Sequence, residues 1–441
     1  MSLVKKMHAH RRSRCFVFYI VSAILPLLAG IAFATDMPLT EDEAIALFYQ
    51  RNLDLIAARY NVEAARAQQI IAAAIPNPVL SLNTVAPGLV KGHGSGFLGA
   101  NYDNVARLEQ LIETAGKRGL RRESSRFGVQ AAEDDLRDAV RLLSNQVRRA
   151  YYNLLLAQQL VELTLDTVSR YNEIVRTNGL RLESGDISES DFMRVEVERF
   201  KAQNDLDQAL LNLSAARTGL AVLLALPAET MNFVAQDVTL SRGEFDVKQA
   251  PESFIAQAMA QRPDLHAARV RIDQSEKDLA LARANRMPDV TVALQDEVCP
   301  SPVCWPGTDN AIGLGVSLPL PVFYRNQGQI AQAQISFENA KLQVRQLEQG
   351  IGAEVLEAAA AWRTADGQAR RFEGDILSRV KVVRQAAELA YSKGATSILD
   401  FIEAQRSYRN SVLEYRNALY NRAVAYADLV KVLGIEQTPP R

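Results

Sequence analysis

Titratable and nucleophilic side chains are scattered along this chain rather than clustered. Beyond the first 34 residues the only histidines are His93 and His266, and the only cysteines are Cys299 and Cys304, in Cys-Pro-Ser-Pro-Val-Cys. A hydrolase needs a nucleophile, a base and an orienting acid within reach of one another, and histidine is too scarce to supply the base. Two cysteines with no neighbouring histidine make a poor zinc site. His266 falls in a repeated helical stretch whose other copy carries Ile56, which predicts a packed side chain rather than a ligand. His93 lies in a Gly-rich loop, where it could hold a metal only weakly.

Two patterns carry clearer physical meaning. Ser188 to Asp191 and Ser397 to Asp400 are each Ser-x-x-Asp, three residues after Gly185 and Gly394 respectively. In such a capping box the serine oxygen accepts from a free backbone N–H at a helix start and the acid reaches back. Capping therefore explains both acids without a direct role in gating or partner contact. Glu183, Asp186 and Glu189 crowd the same turn. No Gly-rich phosphate loop, cofactor motif or run of spanning helices is present, so the chain carries no energy source of its own. Charge is balanced, at 50 basic and 51 acidic residues, with no basic concentration suited to nucleic-acid phosphates.

The first 34 residues read as a secretory signal that is removed. Lys5, Lys6, Arg11, Arg12 and Arg14 precede an apolar run, and Ala32-Phe33-Ala34 offers a cleavage site. The run contains Pro26 and falls short of the roughly 20 residues of a permanent span. Cys15 lies inside it, so no lipid-modified N-terminal cysteine is expected. Export to an oxidising compartment and a proline-stiffened loop favour a local Cys299–Cys304 disulfide over two free or metal-binding thiols.

The elements that position these residues occur twice. Asp54-Leu55-Ile56-Ala57-Ala58-Arg59 returns as Asp264-Leu265-His266-Ala267-Ala268-Arg269, and Ala72, Ala74 and Pro78 return as Ala282, Ala284 and Pro288. Gly185, Asp191, Phe192, Leu210, Ala216 and Leu220 match Gly394, Asp400, Phe401, Leu419, Ala425 and Leu429. Two copies make a duplicated fold rather than a solenoid. The first repeat takes 35–240, with a helix, strands in 78–112 and a long helix pair over 118–226. The second takes 241–441, with a helix, strands in 288–320 and a helix pair over 326–434.

Apolar residues from Leu136 through Val147, Leu154, Val161 and Val168 to Val175 keep a three-four spacing, and a second line runs from Phe192 to Leu223. Sustained spacing of that kind is a coiled-coil seam. The first helix is predicted over 118–178, roughly 90 Å at the helical rise. The strands alternate: Leu80 and Leu82 against Ser81 and Asn83, Ala106 and Leu108 against Arg107 and Glu109, Val290, Val292 and Leu294 against Thr291, Ala293 and Gln295, and Ile312, Leu314 and Val316 against Gly313, Gly315 and Ser317. Apolar outward and polar or small inward is the signature of a transmembrane β-barrel. Four strands cannot close a barrel, and an open edge in lipid leaves backbone groups unsatisfied. Identical copies must therefore assemble if these strands enter a membrane.

The chain resembles the TolC-like outer-membrane efflux proteins over essentially all of its mature length. The resemblance is carried by Arg51-Asn52-Leu53-Asp54-Leu55, Pro76-Asn77-Pro78, Glu113-Thr114-Ala115-Gly116-Lys117-Arg118, Gln261-Arg262-Pro263-Asp264-Leu265, Met287-Pro288-Asp289, Leu318-Pro319-Leu320-Pro321 and Arg325-Asn326-Gln327-Gly328, in that order. The Glu-x-x-Gly-Lys-Arg element is most similar to the cobalt–zinc–cadmium efflux subgroup. The resemblance implies a mainly α fold with a membrane β portion, and a homotrimer whose twelve-strand barrel sits in outer-membrane lipid. Long helices would continue it as an α-barrel through the periplasm of a Gram-negative bacterium. The loops at 86–100 and 298–310 would face outside.

On this resemblance the turns bearing Gly185, Asp186, Ser188, Asp191, Gly394, Ser397 and Asp400 are the periplasmic tip. There they would meet a periplasmic adaptor (membrane fusion) protein and an inner-membrane transporter of the resistance–nodulation–division type. Glu183, Asp186 and Glu189 would give the entrance a cation-favouring field, unless they are only a solvated turn. The implied function is a passive exit duct, with heavy-metal cations as cargo. The alternatives are multidrug efflux or type I protein secretion, and, from another class, an outer-membrane hydrolase or adhesin.

Overall fold

The computed structural model describes residues 37–85, 103–227, 233–236, 251–298 and 310–435. The signal segment, His93, Cys299, Cys304 and most of both outer loops lie outside the described residues.

Each repeat runs helix pair, hairpin, long helix, return helix. In the first, α1 (Glu41–Arg51) and α2 (Leu53–Ala73) lead to β2 (Val79–Val85) and β3 (Asp103–Ile112), then α3 (Lys117–Glu183) and α4 (Glu189–Leu223). In the second, α5 (Pro251–Gln261) and α6 (Pro263–Ala284) lead to β5 (Val290–Val298) and β6 (Asn310–Ser317), then α7 (Gln327–Arg371), α8 (Leu377–Ser392) and α9 (Ile398–Leu433). Two three-residue strands, β1 (Met37–Leu39) and β4 (Phe233–Ala235), pair in parallel. The Tyr151 hydroxyl, 2.9 Å from both Leu39 O and Gln236 O, ties that small sheet to α3.

The 67 residues of α3 extend about 100 Å. Its seam residues Val147, Leu154, Ala157 and Tyr171 are buried, as are Val195, Ala202, Leu206, Ala209, Ala216 and Leu220 on α4. These chain-long contacts, rather than intrinsic propensity, hold helices of such length.

The repeats start their long helices in the same way. Gly116 (φ 69°) and Asn326 (φ 63°) are left-handed caps preceding α3 and α7. Return helices stack on the leading ones in both halves. Asn52 Nδ2 donates to Leu223 O at 2.8 Å while Asn52 Oδ1 caps the Leu55 N–H. At the equivalent place Gly434 lies so close to Arg262 that an added Cβ would fall 3.0 Å from Arg262 N. Gly434 also has φ 70°, so glycine is required there on two grounds.

The repeats differ in one respect. α3 runs unbroken, whereas a π-helical turn, Phe372–Ile376, separates α7 from α8. Among the described residues no helix is long and apolar enough to cross a membrane.

Candidate functional site

Three regions line up along the long axis of the helices: the sheet, the joint beneath it, and the far turns. The sheet is antiparallel in the order β2-β3-β5-β6. Its register aligns Leu80, Leu108, Leu294 and Leu314 in one row across all the strands. All four leucines are exposed, and Val292 and Val316 extend the same face. The neighbouring row on the opposite face is Ser81, Arg107, Gln295 and Gly313. There the Arg107 guanidinium meets Glu109 at 2.6 Å. One face is thus greasy and unpartnered and the other polar, while β2 and β6 each present a free edge.

At the joint, Lys117 is buried and its Nζ donates to Met287 O and Asp289 Oδ1, both at 2.7 Å. The Thr114 N–H donates to the same carboxylate at 2.8 Å, and the Thr114 hydroxyl to Pro288 O at 2.7 Å. Arg118 Nε reaches Ala73 O at the end of α2 at 2.7 Å, and Arg121 grips Glu113 at 2.8 Å. Every polar member of Glu113-Thr-Ala-Gly-Lys-Arg is therefore used to staple strand exit, strand entry and helix end together. This motif contributes rigidity where sheet meets helices.

The far turns are built alike. The α3–α4 turn ends with Gly185 (φ 80°) and the α8–α9 turn with Gly394 (φ 71°). Asp186 N–H donates to Arg181 O and Ala395 N–H to Ala390 O, both at 2.8 Å, closing a glycine-dependent helix end. Ser188 and Ser397 cap the next helices by accepting from Asp191 N–H and Asp400 N–H at 3.2 Å. The acids depart from the expected box: each carboxylate accepts from its serine hydroxyl, at 2.8 and 2.7 Å, not from the cap's backbone N–H. Thr396 adds a second hydroxyl on Asp400, and the Ser397 and Thr396 bonds hold that carboxyl below its ordinary range. Glu183, Asp186 and Glu189 are exposed.

Just above these turns the two hairpins meet. Val195, Ile398, Phe401 and Ile402 form a buried cluster. Tyr391 stacks on Phe401 with ring centres 4.9 Å apart, and the Arg181 guanidinium carbon lies 5.0 Å from the Tyr391 ring centre. The Tyr391 hydroxyl donates to Asn178 Oδ1 on buried Asn178. Glu198 on α4 accepts from Arg406 on α9 at 2.9 Å. Reading the sequence singles out Phe401 through the repeat and the seam that holds Val195, but it does not pair Tyr391 with Asn178 or Glu198 with Arg406.

His266 is a correction. Its side chain is 63% exposed rather than packed, and its Nδ1 pairs with Asp134, a carboxylate only 1% exposed. Helix α6 presents that histidine to α3, a role Ile56 cannot play. Among the described residues no group of three His, Cys, Asp or Glu is placed to hold a metal ion.

A family model described as outer membrane efflux protein matches residues 44–226 and 254–435. The cobalt-zinc-cadmium resistance protein CzcC of Cupriavidus metallidurans is 24% identical over 403 residues, covering 90% of each chain. The cation efflux system protein CusC of Escherichia coli K12 is 23% identical, over 87% of this chain and 84% of its own. The pyoverdine export outer membrane protein OpmQ of Pseudomonas putida is 22% identical, over 89% and 85%. Among solved structures, the CmeC outer membrane channel of Campylobacter jejuni superposes with a TM-score of 0.77 at 20% identity, over 89% of this chain and 85% of that one.

Proposed function

The chain belongs to the outer membrane efflux protein family, and from that premise we propose that it is the exit duct of a tripartite system for heavy-metal cations. It is a transport protein of the outer membrane and periplasm, not an enzyme. The observation that carries the duct reading is the open-edged sheet, apolar on one face and polar on the other, fused to helices about 100 Å long.

Backbone groups on the free edges of β2 and β6 must find partners in hydrocarbon. Pairing β6 of one copy with β2 of the next supplies them. Three copies of the four-stranded sheet then close a twelve-strand barrel, within the size range of bacterial barrels. Its lumen is lined by Ser81, Arg107, Glu109 and Gln295, and its lipid face by the leucine row. The helices continue the bore through the periplasm. At their far end Gly185, Asp186, Ser188, Asp191, Gly394, Ser397 and Asp400 form the surface offered to a periplasmic adaptor. An inner-membrane transporter of the resistance–nodulation–division type would power export.

The metal cargo rests on the similarity to CzcC and CusC. OpmQ favours a second reading, export of an organic molecule. Purification of the full chain in detergent tests the duct: a conducting trimer is expected, and a non-conducting monomer would overturn it. Deletion in the source organism separates the cargoes. Sensitivity to cobalt, zinc or cadmium supports metals, and sensitivity to dyes alone supports the organic reading.

A further inference from the structure

Helix α6 lies between two neighbours, α3 of the other repeat and α7 of its own, whereas α2 packs on α3. The offset of 210 residues that relates Pro78 to Pro288 also relates the left-handed caps Gly116 and Asn326. Each contact of α3 with α6 therefore has a counterpart between α7 and α2. Helix α2 leads into one edge strand, β2, and α7 follows the other, β6, so a single chain leaves that second contact open.

The surfaces that would make it are bare. On α2, Ala57, Tyr60, Ala64, Ala67 and Ile71 keep a three-four spacing and all are exposed, Tyr60 to 70%. Their counterparts on α6, Ala267, Val270, Gln274, Lys277 and Leu281, are buried or half-buried. At the start of α7 an open cleft of about 660 Å³ is lined by Phe323, Ile330, Ala331 and Gln334, with Arg286 and Arg325 also on its wall. Phe323 is 97% exposed.

The closed contact and the open one differ in chemistry. Inside the chain Lys117 pairs with Asp289 at 2.7 Å, Glu123 with Lys277 at 2.8 Å and Ser124 with Asp278 at 2.5 Å. The corresponding positions on the open surfaces are Gln327 and Val79, Ala333 and Ala67, Gln334 and Gln68. All six are neutral, so closing the surfaces buries no unpaired ion at those positions.

We infer that α2 of one copy docks on the opening turns of α7 in the next, in the register that α6 takes on α3, with Gln68 beside Gln334. This inference rests on the duct reading and carries the joining of β6 to β2 down into the helices. It also fixes the order of closure. Seating α2 on α3 in place of α6 would set buried Lys117 against Val79 instead of Asp289, so copies join in one order only.

The test uses the full chain in outer-membrane vesicles, with Cys299→Ser and Cys304→Ser as background. Oxidation of Gln68→Cys with Gln334→Cys by copper phenanthroline is expected to give a covalent trimer on non-reducing gels. The adjacent pair, Ala67→Cys with Ala333→Cys, is expected to be joined by a short bis-maleimide. Arg66 faces its own α3 through Glu133 at 3.0 Å, so Arg66→Cys with Gln334→Cys is expected to give no link. Trimers that conduct, yet link no better through α2 positions 67 and 68 than through 66, overturn this docking and leave the duct standing. A background protein that stays monomeric overturns both.

Discussion

Lys117 Nζ lies 2.7 Å from the carboxylate of Asp289, 172 residues away, where the strands of one repeat end and those of the other begin. The ammonium is nearly enclosed, and the Thr114 N–H shares the same oxygen. Replacing Lys117 by Met leaves a partly buried carboxylate without its cation. The expected loss is about 2–3 kcal/mol, read as a lowered denaturant midpoint of the solubilised protein. Adding Asp289→Asn should recover part of that loss. If the single variant is as stable as wild type, the joint is not held by this pair.

Tyr391→Phe removes the hydroxyl that satisfies Asn178 and leaves a buried amide oxygen unpaired, at about 1–2 kcal/mol. The stacking on Phe401 is retained. On the duct reading the hairpins loosen, and single-channel recordings should show a higher open probability. An unchanged open probability would show that the pair does not restrain the far turns.

Glu198 supplies a pH dependence. Its hydrogen bond from Arg406 lowers the carboxyl below its ordinary value; burial opposes this and Lys201 reinforces it. A depressed carboxyl contributes stability that is complete above the unfolded value of about 4.3 and disappears as pH falls through the lower folded value. Hydrogen exchange at the α4–α9 contact should therefore accelerate below roughly pH 4. Glu198→Gln should be faster at neutral pH and lack the acid step.

The two faces of β5 should respond oppositely to one charge. Leu294→Lys places an ammonium toward lipid at an expected cost of about 2–4 kcal/mol near mid-bilayer and should block insertion. Gln295→Lys, one residue on, should insert normally and shift ion preference toward anions. Equal tolerance at both positions would refute the facing.

Glu183→Gln, Asp186→Asn and Glu189→Gln together should weaken cation preference in bilayer recordings without altering assembly, because all three side chains are exposed. Unaltered selectivity would mark the turn as ordinary solvated surface.

Much of the architecture was legible because it rests on local periodicity. Alternation put Leu80, Leu108, Leu294 and Leu314 on apolar faces, and antiparallel pairing then aligned them in one row. Three-four spacing located α3 and α4. The same spacing stutters after Phe372, where inward positions run Ile376, Val380 and Arg384 at intervals of four. Sequence reading did not register that irregularity, and the π-helical turn absorbs it. The strands β1 and β4 left no such trace, since three residues cannot display a period.

The sequence by itself determined the duplication, the helix seams, the glycine turns and the two-faced strands, because each follows from a residue's near neighbours and the pitch of its element. Only the tertiary structure decided that Lys117 finds Asp289, that Tyr391 finds Asn178 and that His266 faces Asp134. Those outcomes depend on which helices lie side by side and at what stagger. Packing of whole elements sets that stagger, and no local pattern encodes it.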